Sequence, residues 1–325
     1  MAGAKDPPMA DAKDPSMADA TDPTMAGVPP SVQLPTGAGS GVRPATPTPT
    51  RIGPRVFPWG ERTFVMGILN VTPDSFSGDG LLARAEGGTV VDAAVALARR
   101  MSAEGADLLD VGGESSRPGH TTVSEEEELR RVVPVVRALH EALPDLPISV
   151  DTVKPAVAEA ALDVGAGLLN DVWGVGPASD LARLAAERRV PLIVMHNRVE
   201  ARYGNVVGEV LADLQRALER ALAAGVGWDD LIVDPGMGFG KTAEQNLALL
   251  HDLAALRLLR RPVLLGMSRK STIGRVLDLP AQDRLEGTLA TTALAVAAGV
   301  DIVRVHDVEA NRRVARMSDA IVRRA

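Results

Sequence analysis

Cysteine is absent from this 325-residue chain. Disulfides, thiolate metal centres and a cysteine nucleophile are therefore excluded, and a cytoplasmic home is permitted. Positive charge is in deficit. The net charge is −7, which removes whole-molecule attraction to nucleic acid or to an anionic membrane surface. No apolar run approaches the roughly 18 residues of a membrane span. HExxH is missing, no Ser–His–Asp spacing stands out, and no GxGxxG opens a helix. A P-loop is missing as well, although DPGMGFGKT (234–242) ends like one. The strict pattern needs a glycine where this chain has Pro235, and proline lacks the N–H that such a loop aims at phosphate. What precedes Pro235 is more informative: Leu231-Ile232-Val233 is a short apolar run ending in Asp234.

The first 50 residues are poor in branched aliphatics and carry ten prolines. Met1, Met9, Met17 and Met25 mark an eight-residue repeat, too short for a solenoid unit. This composition predicts a disordered, low-complexity tail over 1–50. The tail has neither the apolar core of a signal peptide nor the Arg/Ser richness of a transit peptide. The folded domain is expected over 51–325.

Within that domain, eight near-continuous apolar runs alternate with helical patterns. The runs are 64–70, 106–112, 147–152, 167–172, 191–196, 231–236, 262–268 and 301–307. Such runs suit parallel strands covered on both faces. The helical stretches between them often end at glycine, as at Gly105, Gly225 and Gly299, and Ser124 with Glu127 fits a capping box. Eight βα units in this length predict a (β/α)8 TIM barrel, with an open doubly wound sheet as the alternative.

Each strand ends in a polar or charged group: Asn70, Asp110 with Glu114, Asp151, Asn170, His196, Asp234, Lys270, and Arg304 with His306. One such residue is more often a helix cap or turn former. Eight would converge on the C-terminal mouth, where barrel chemistry gathers. Asp151, Asn170 and Asp234 offer acceptors, and buried acceptors must be matched by donors. Arg117, Lys270, Arg304 and His306 offer positive charge suited to phosphate. The physical reading is a donor-rich heterocycle joined to phosphate or pyrophosphate. Asn70 is the plausible Mg²⁺ ligand, with water and substrate phosphate completing the octahedron. The glycine-rich segments 70–80 and 112–122 are read either as flexible connections or as lids carrying Asp74, Phe76, Ser116 and Arg117.

The motifs MGILNVTPDSFS (66–77), DVGGESSRPG (110–119), SVDTVKP (149–155), LLNDV (168–172), DPGMGFGK (234–241), GMSRKSTIG (266–274) and RVHDV (304–308) together resemble dihydropteroate synthase over roughly residues 56–325. The resemblance implies condensation of p-aminobenzoate with 6-hydroxymethyl-7,8-dihydropterin pyrophosphate, SN1-like, with Mg²⁺-assisted departure of pyrophosphate. It assigns Asp151, Asn170, Asp234 and Lys270 to the pterin. Asn70, Arg117, Arg304 and His306 fall to pyrophosphate and Mg²⁺. Ser116, Pro118, Phe239, Lys270 and Ser271 fall to p-aminobenzoate, with Phe76 closing from the first lid. It also implies a homodimer and sulfonamides as inhibitors. The chain departs from the family's SFSDGG lid, with its aspartate one place on at Asp79. It has Ser116 where threonine is common, and a bulky Trp173 after Asn170-Asp171. A pterin-dependent methyltransferase, which has no use for a pyrophosphate site, and a non-catalytic pterin-binding paralogue are the competing readings.

Overall fold

The computed structural model describes residues 46–72, 89–114, 122–174 and 180–323. The expected disorder of the tail up to residue 45 lies outside them. A short antiparallel hairpin, β1 (Thr50–Ile52) and β2 (Arg55–Phe57), comes first. Eight strands follow: β3 (Phe64–Asn70), β4 (Leu108–Gly112), β5 (Ile148–Asp151), β6 (Leu168–Asp171), β7 (Leu192–Met195), β8 (Leu231–Asp234), β9 (Leu264–Leu265) and β10 (Ile302–Val305). All pair in parallel, in the order β8-β7-β6-β5-β4-β3-β10-β9. A further parallel bridge, Val233 to Val263, joins the two ends of that order and closes the barrel. This is the predicted (β/α)8 TIM barrel.

The helices between the strands are α1 (Val90–Ala103), α2 (Glu125–Ala142), α3 (Pro155–Asp163), α4 (Asp180–Arg188), α5 (Val206–Ala223), α6 (Ala243–His251), α7 (Ser271–Leu277), α8 (Leu285–Ala298) and α9 (Val308–Val322). Their caps are partly those expected. Gly105, Gly225 and Gly299 take left-handed φ of +97°, +100° and +86° after α1, α5 and α8, where a side chain would be strained. Ser124 Oγ accepts from Glu127 N–H at 3.2 Å. The reciprocal half of that capping box is not made, because the Glu127 carboxylate instead receives Arg131 Nε at 2.7 Å. Complete boxes form at Thr89 with Asp92 and at Thr242 with Gln245.

Strand alternation sorts the core into two volumes. Outward residues such as Leu109, Val111, Val150, Leu169, Val194 and Val233 pack against the helices. Inward residues Met66, Leu108, Leu168, Ile193, Ile232, Leu264 and Ile302 form one apolar layer inside the barrel. Beneath it, at the N-terminal end of the strands, the hairpin closes the floor with Ile52, Phe57 and Trp59. Phe57, Trp59 and Phe64 meet with ring centroids 4.9–5.6 Å apart. Buried Trp59 Nε1 donates to Thr50 Oγ1 at 2.9 Å, and Thr50 Oγ1 donates to the Asp229 carbonyl at 2.6 Å.

The run 262–268 is a strand only at Leu264–Leu265. Pro262 cannot donate to a ladder; its carbonyl instead accepts from Val233 N–H at 2.9 Å.

Candidate active site

Two residues after four members of the apolar layer, the same inward face turns polar. Leu108 is followed by Asp110, Leu168 by Asn170, Ile232 by Asp234 and Ile302 by Arg304. Period two puts these side chains in one layer above the floor, facing the C-terminal mouth. Arg304 binds across that layer. Its Nε donates to Asp110 Oδ2 at 2.6 Å and its Nη2 to Asp151 Oδ2 at 3.0 Å. Asn170 Nδ2 donates to the same Asp110 Oδ2 at 3.0 Å. Asp110, Asp151, Asn170 and Arg304 are thus one hydrogen-bonded cluster. Asp110 is fully buried, and its Oδ1 has no hydrogen-bond partner among the described residues.

Burial, reinforced by the neighbouring Asp110 charge, pushes the Asp151 carboxyl up to about 7, against the pull of Arg304. Burial also raises the pKa of Asp234, while the Gly236 N–H, donating to its Oδ1 at 2.7 Å, and the charges of Lys270 and Arg304 hold it down. These pulls place Lys270 within electrostatic reach of both Asp151 and Asp234. Lys270 Nζ donates to the Met237 carbonyl and lies 4.2 Å from the centroid of the Phe239 ring. The turn before Lys270 is pinned by Arg269, whose backbone takes φ +55° and whose guanidinium grips Asp307 at 2.6 and 3.0 Å. His306 is held by Ser268, whose Oγ meets its Nδ1 at 2.9 Å and its backbone N–H at 3.2 Å. Ser271 is exposed at the first turn of α7. Asn70 stands half-buried at the end of β3.

The motif that imitates a P-loop has a different job. Lys241 Nζ is turned inward, against His196 Nδ1 at 2.8 Å, the Gly236 carbonyl at 2.9 Å and the Phe239 carbonyl at 3.0 Å. Burial lowers its pKa to about 7. Thr242 is simply the N-cap of α6. Gly236 is required here: at φ +64° a Cβ would lie 1.8 Å from the His196 carbonyl. His196 itself is buried, with Nε2 at 3.1 Å from Asp213 Oδ2. Burial and the Lys241 charge lower its pKa to about 4, so the ring is neutral, donates to Asp213 and accepts from Lys241. It braces the loop rather than facing the mouth.

Trp173 follows an Asp171 turn in which Oδ1 accepts from the Trp173 and Gly174 N–H groups at 2.9 and 3.1 Å. Its ring walls a separate cavity of about 240 Å³ with Asn197, Asp213 and Arg216. Phe76, Asp79, Ser116, Arg117 and Pro118 lie outside the described residues. Asp110 was legible as a strand-end carboxylate, but no motif role came with it. Ser268 sits unflagged inside GMSRKS, and only the fold brings it to His306.

A closed barrel with a polar layer of fixed acceptors and cations at its mouth has the architecture of the barrel enzymes, whose chemistry gathers at that end. The sequence matches the profile of the pterin binding enzymes over residues 66–306. It is 49% identical to the dihydropteroate synthase of Clostridium beijerinckii over 275 residues, which is 84% of this chain and all of that one. A Clostridium difficile dihydropteroate synthase crystallised with pteroic acid superposes with a TM-score of 0.77 at 46% identity, covering 82% of this chain and 100% of that one. A Xanthomonas albilineans dihydropteroate synthase in complex with 7,8-dihydropteroate gives 0.72 at 42% identity, covering 81% and 94%. The chain belongs to the pterin binding enzyme family, in its dihydropteroate synthase branch.

Proposed function

We propose that this chain condenses p-aminobenzoate with 6-hydroxymethyl-7,8-dihydropterin pyrophosphate, giving 7,8-dihydropteroate and pyrophosphate. One observation carries the reading: Asp110, Asp151, Asn170 and Arg304 form a single hydrogen-bonded layer, with Asp234 and Lys270 in electrostatic contact with it. Asp151, Asn170 and Asp234 accept from the N–H edge of the pterin, and Lys270 donates to its oxygen. Arg304, His306 and Arg117 draw on the pyrophosphate. Phe239 and Ser271 frame p-aminobenzoate beside Lys270, and the family resemblance assigns Ser116, Pro118 and Phe76, outside the described residues, to the same ligand.

The displacement is SN1-like. The bond from the pterin methylene carbon to the pyrophosphate oxygen breaks, and pyrophosphate leaves with the electron pair. Carboxylates beside the ring, Asp234 among them, favour the cation as it develops. The aniline nitrogen then attacks, and its extra proton passes to solvent. No strong base is needed, since an aromatic amine is already a nucleophile near neutral pH.

The donor set suits Mg²⁺ only as a substrate-borne ion. Among the described residues no three His, Asp or Glu side chains cluster to hold a metal, so Asn70 would be the protein's oxygen ligand beside phosphate and water. When bound there, the ion neutralises charge on the departing pyrophosphate. The exposed apolar side chains Leu247, Leu258, Val276 and Leu294 on α6, the following 3₁₀ turn, α7 and α8 support a homodimer through these elements. No helix among the described residues is long and apolar enough to cross a membrane, and we place the chain in the cytoplasm with its substrates.

The test is turnover of purified chain. Pyrophosphate should appear only when pterin substrate, p-aminobenzoate and Mg²⁺ are all present, and chelation should stop it. Pterin binding without turnover would favour the non-catalytic paralogue.

A further inference from the structure

We propose that Asp110 is a positioning residue of this site, orienting both the Arg304 guanidinium and the Asn170 carboxamide toward the bound pterin substrate. The inference rests on the reading of the site as a pterin pocket. Asp110 lies mid-strand in β4, in register with Ile68 on β3 and Ser149 on β5, and no solvent reaches it. A rigid barrel wall on both sides keeps its carboxylate still. Its Oδ2 receives two donors from opposite sides of the barrel, Arg304 Nε at 2.6 Å and Asn170 Nδ2 at 3.0 Å.

Each contact removes one ambiguity. A carboxamide can flip, exchanging its oxygen for its NH₂. At 3.0 Å from a carboxylate oxygen, the flipped form would set two acceptors against each other. Asp110 therefore turns Asn170 Oδ1 away from itself and leaves it as an acceptor for a substrate N–H. The guanidinium is likewise fixed in plane. With Nε on Asp110 and Nη2 on Asp151, Nη1 is the remaining edge, and it has no partner among the described residues. That edge is directed to the substrate anion. The charge of Asp110 matters beyond its shape. A neutral amide there could accept two bonds, but it could also turn and offer its own NH₂ to Arg304 or Asn170, undoing both orientations. Keeping a fully buried carboxylate whose Oδ1 has no partner among the described residues is costly for a purely structural residue, and it is understandable if the charge orients its neighbours.

The experiment is a pair of double-mutant cycles on the full-length chain, Asp110→Asn with Asn170→Ala and Asp110→Asn with Arg304→Ala. Affinity for 6-hydroxymethylpterin is read by titration calorimetry, and pyrophosphate release gives kcat. Asp110→Asn alone is expected to weaken pterin about tenfold and to lower kcat at least as much, with the melting transition retained. In the Asn170→Ala background its effect on pterin affinity should shrink well below tenfold, to the part that passes through Arg304 and Asp151. In the Arg304→Ala background its effect on kcat should shrink to within twofold. Equal losses in every background, or no loss in the single variant, overturn the proposal. If Asp110→Asn does not fold, Asp110→Ser is carried through the same cycles. Failure of both to fold assigns Asp110 to stability alone and overturns the proposal too. A wild-type chain that binds no pterin overturns the function itself along with it, which separates the two failures.

Discussion

Lys241→Met is the perturbation whose outcome follows most directly from the structure. Lys241 Nζ has three acceptors, His196 Nδ1 and the carbonyls of Gly236 and Phe239. Three acceptors suit an ammonium, whereas burial opposes the charge and lowers the pKa from 10.5 to about 7. That difference corresponds to about 4–5 kcal/mol of cost for the charged form, at 1.36 kcal/mol per pKa unit. Methionine removes this cost but strands His196 Nδ1 and two carbonyls, at about 1–3 kcal/mol each. Near pH 7 the two effects nearly cancel, and the variant should unfold within about 2 kcal/mol of wild type. The pH dependence does not cancel. Between pH 7 and 10.5 the native wild type has released a proton that the unfolded chain still binds. Wild-type stability therefore rises relative to the variant by up to about 1.4 kcal/mol per pH unit, or about 4 kcal/mol from pH 7 to pH 10. The relative gain is complete above the unfolded pKa and is lost as pH falls through 7. Urea unfolding followed by circular dichroism at a series of pH values reads this directly. Parallel stability curves from pH 7 to 10 would refute the reasoning, showing that the three acceptors outweigh burial and keep the ammonium charged throughout.

Trp59→Ala should cost about 3–5 kcal/mol in urea unfolding by opening the barrel floor. Deleting residues 1–45 should leave the melting temperature unchanged, and deleting 1–59 should lower it sharply; equal melting of the two truncations would count against the hairpin as floor. Arg304→Ala should slow pyrophosphate release roughly a hundredfold, as the loss of about 2–4 kcal/mol of charge stabilisation requires. It should weaken pterin too, since Asp151 loses its 3.0 Å partner; intact pterin affinity in this variant would contradict the shared cluster. Pterin affinity should fall as pH drops below about 7, because Asp151, raised by burial and Asp110, protonates there and no longer accepts from the ring. A flat affinity profile from pH 5 to 8 would exclude Asp151 as an ionised acceptor.

Much of this molecule was legible in the linear chain. Short apolar runs such as Leu231–Val233 suit strands covered on both faces, and eight of them alternating with helical patterns leave few ways to close a sheet. Strand alternation likewise follows from spacing alone: Asp110, Asn170, Asp234 and Arg304 each stand two residues beyond an apolar inward residue, so they share one layer. The hairpin was invisible because its three-residue strands are shorter than any periodic signal. The P-loop-like ending was ambiguous because sequence does not say which way Lys241 turns. Only the closed barrel decided that Asp110, far from Arg304 in the chain, would lie 2.6 Å from it, that Ser268 would grip His306, and that Lys241 would brace its own loop. The reason is physical: local patterns specify which face of an element is buried, whereas contacts between distant side chains depend on the register and curvature with which all eight strands meet.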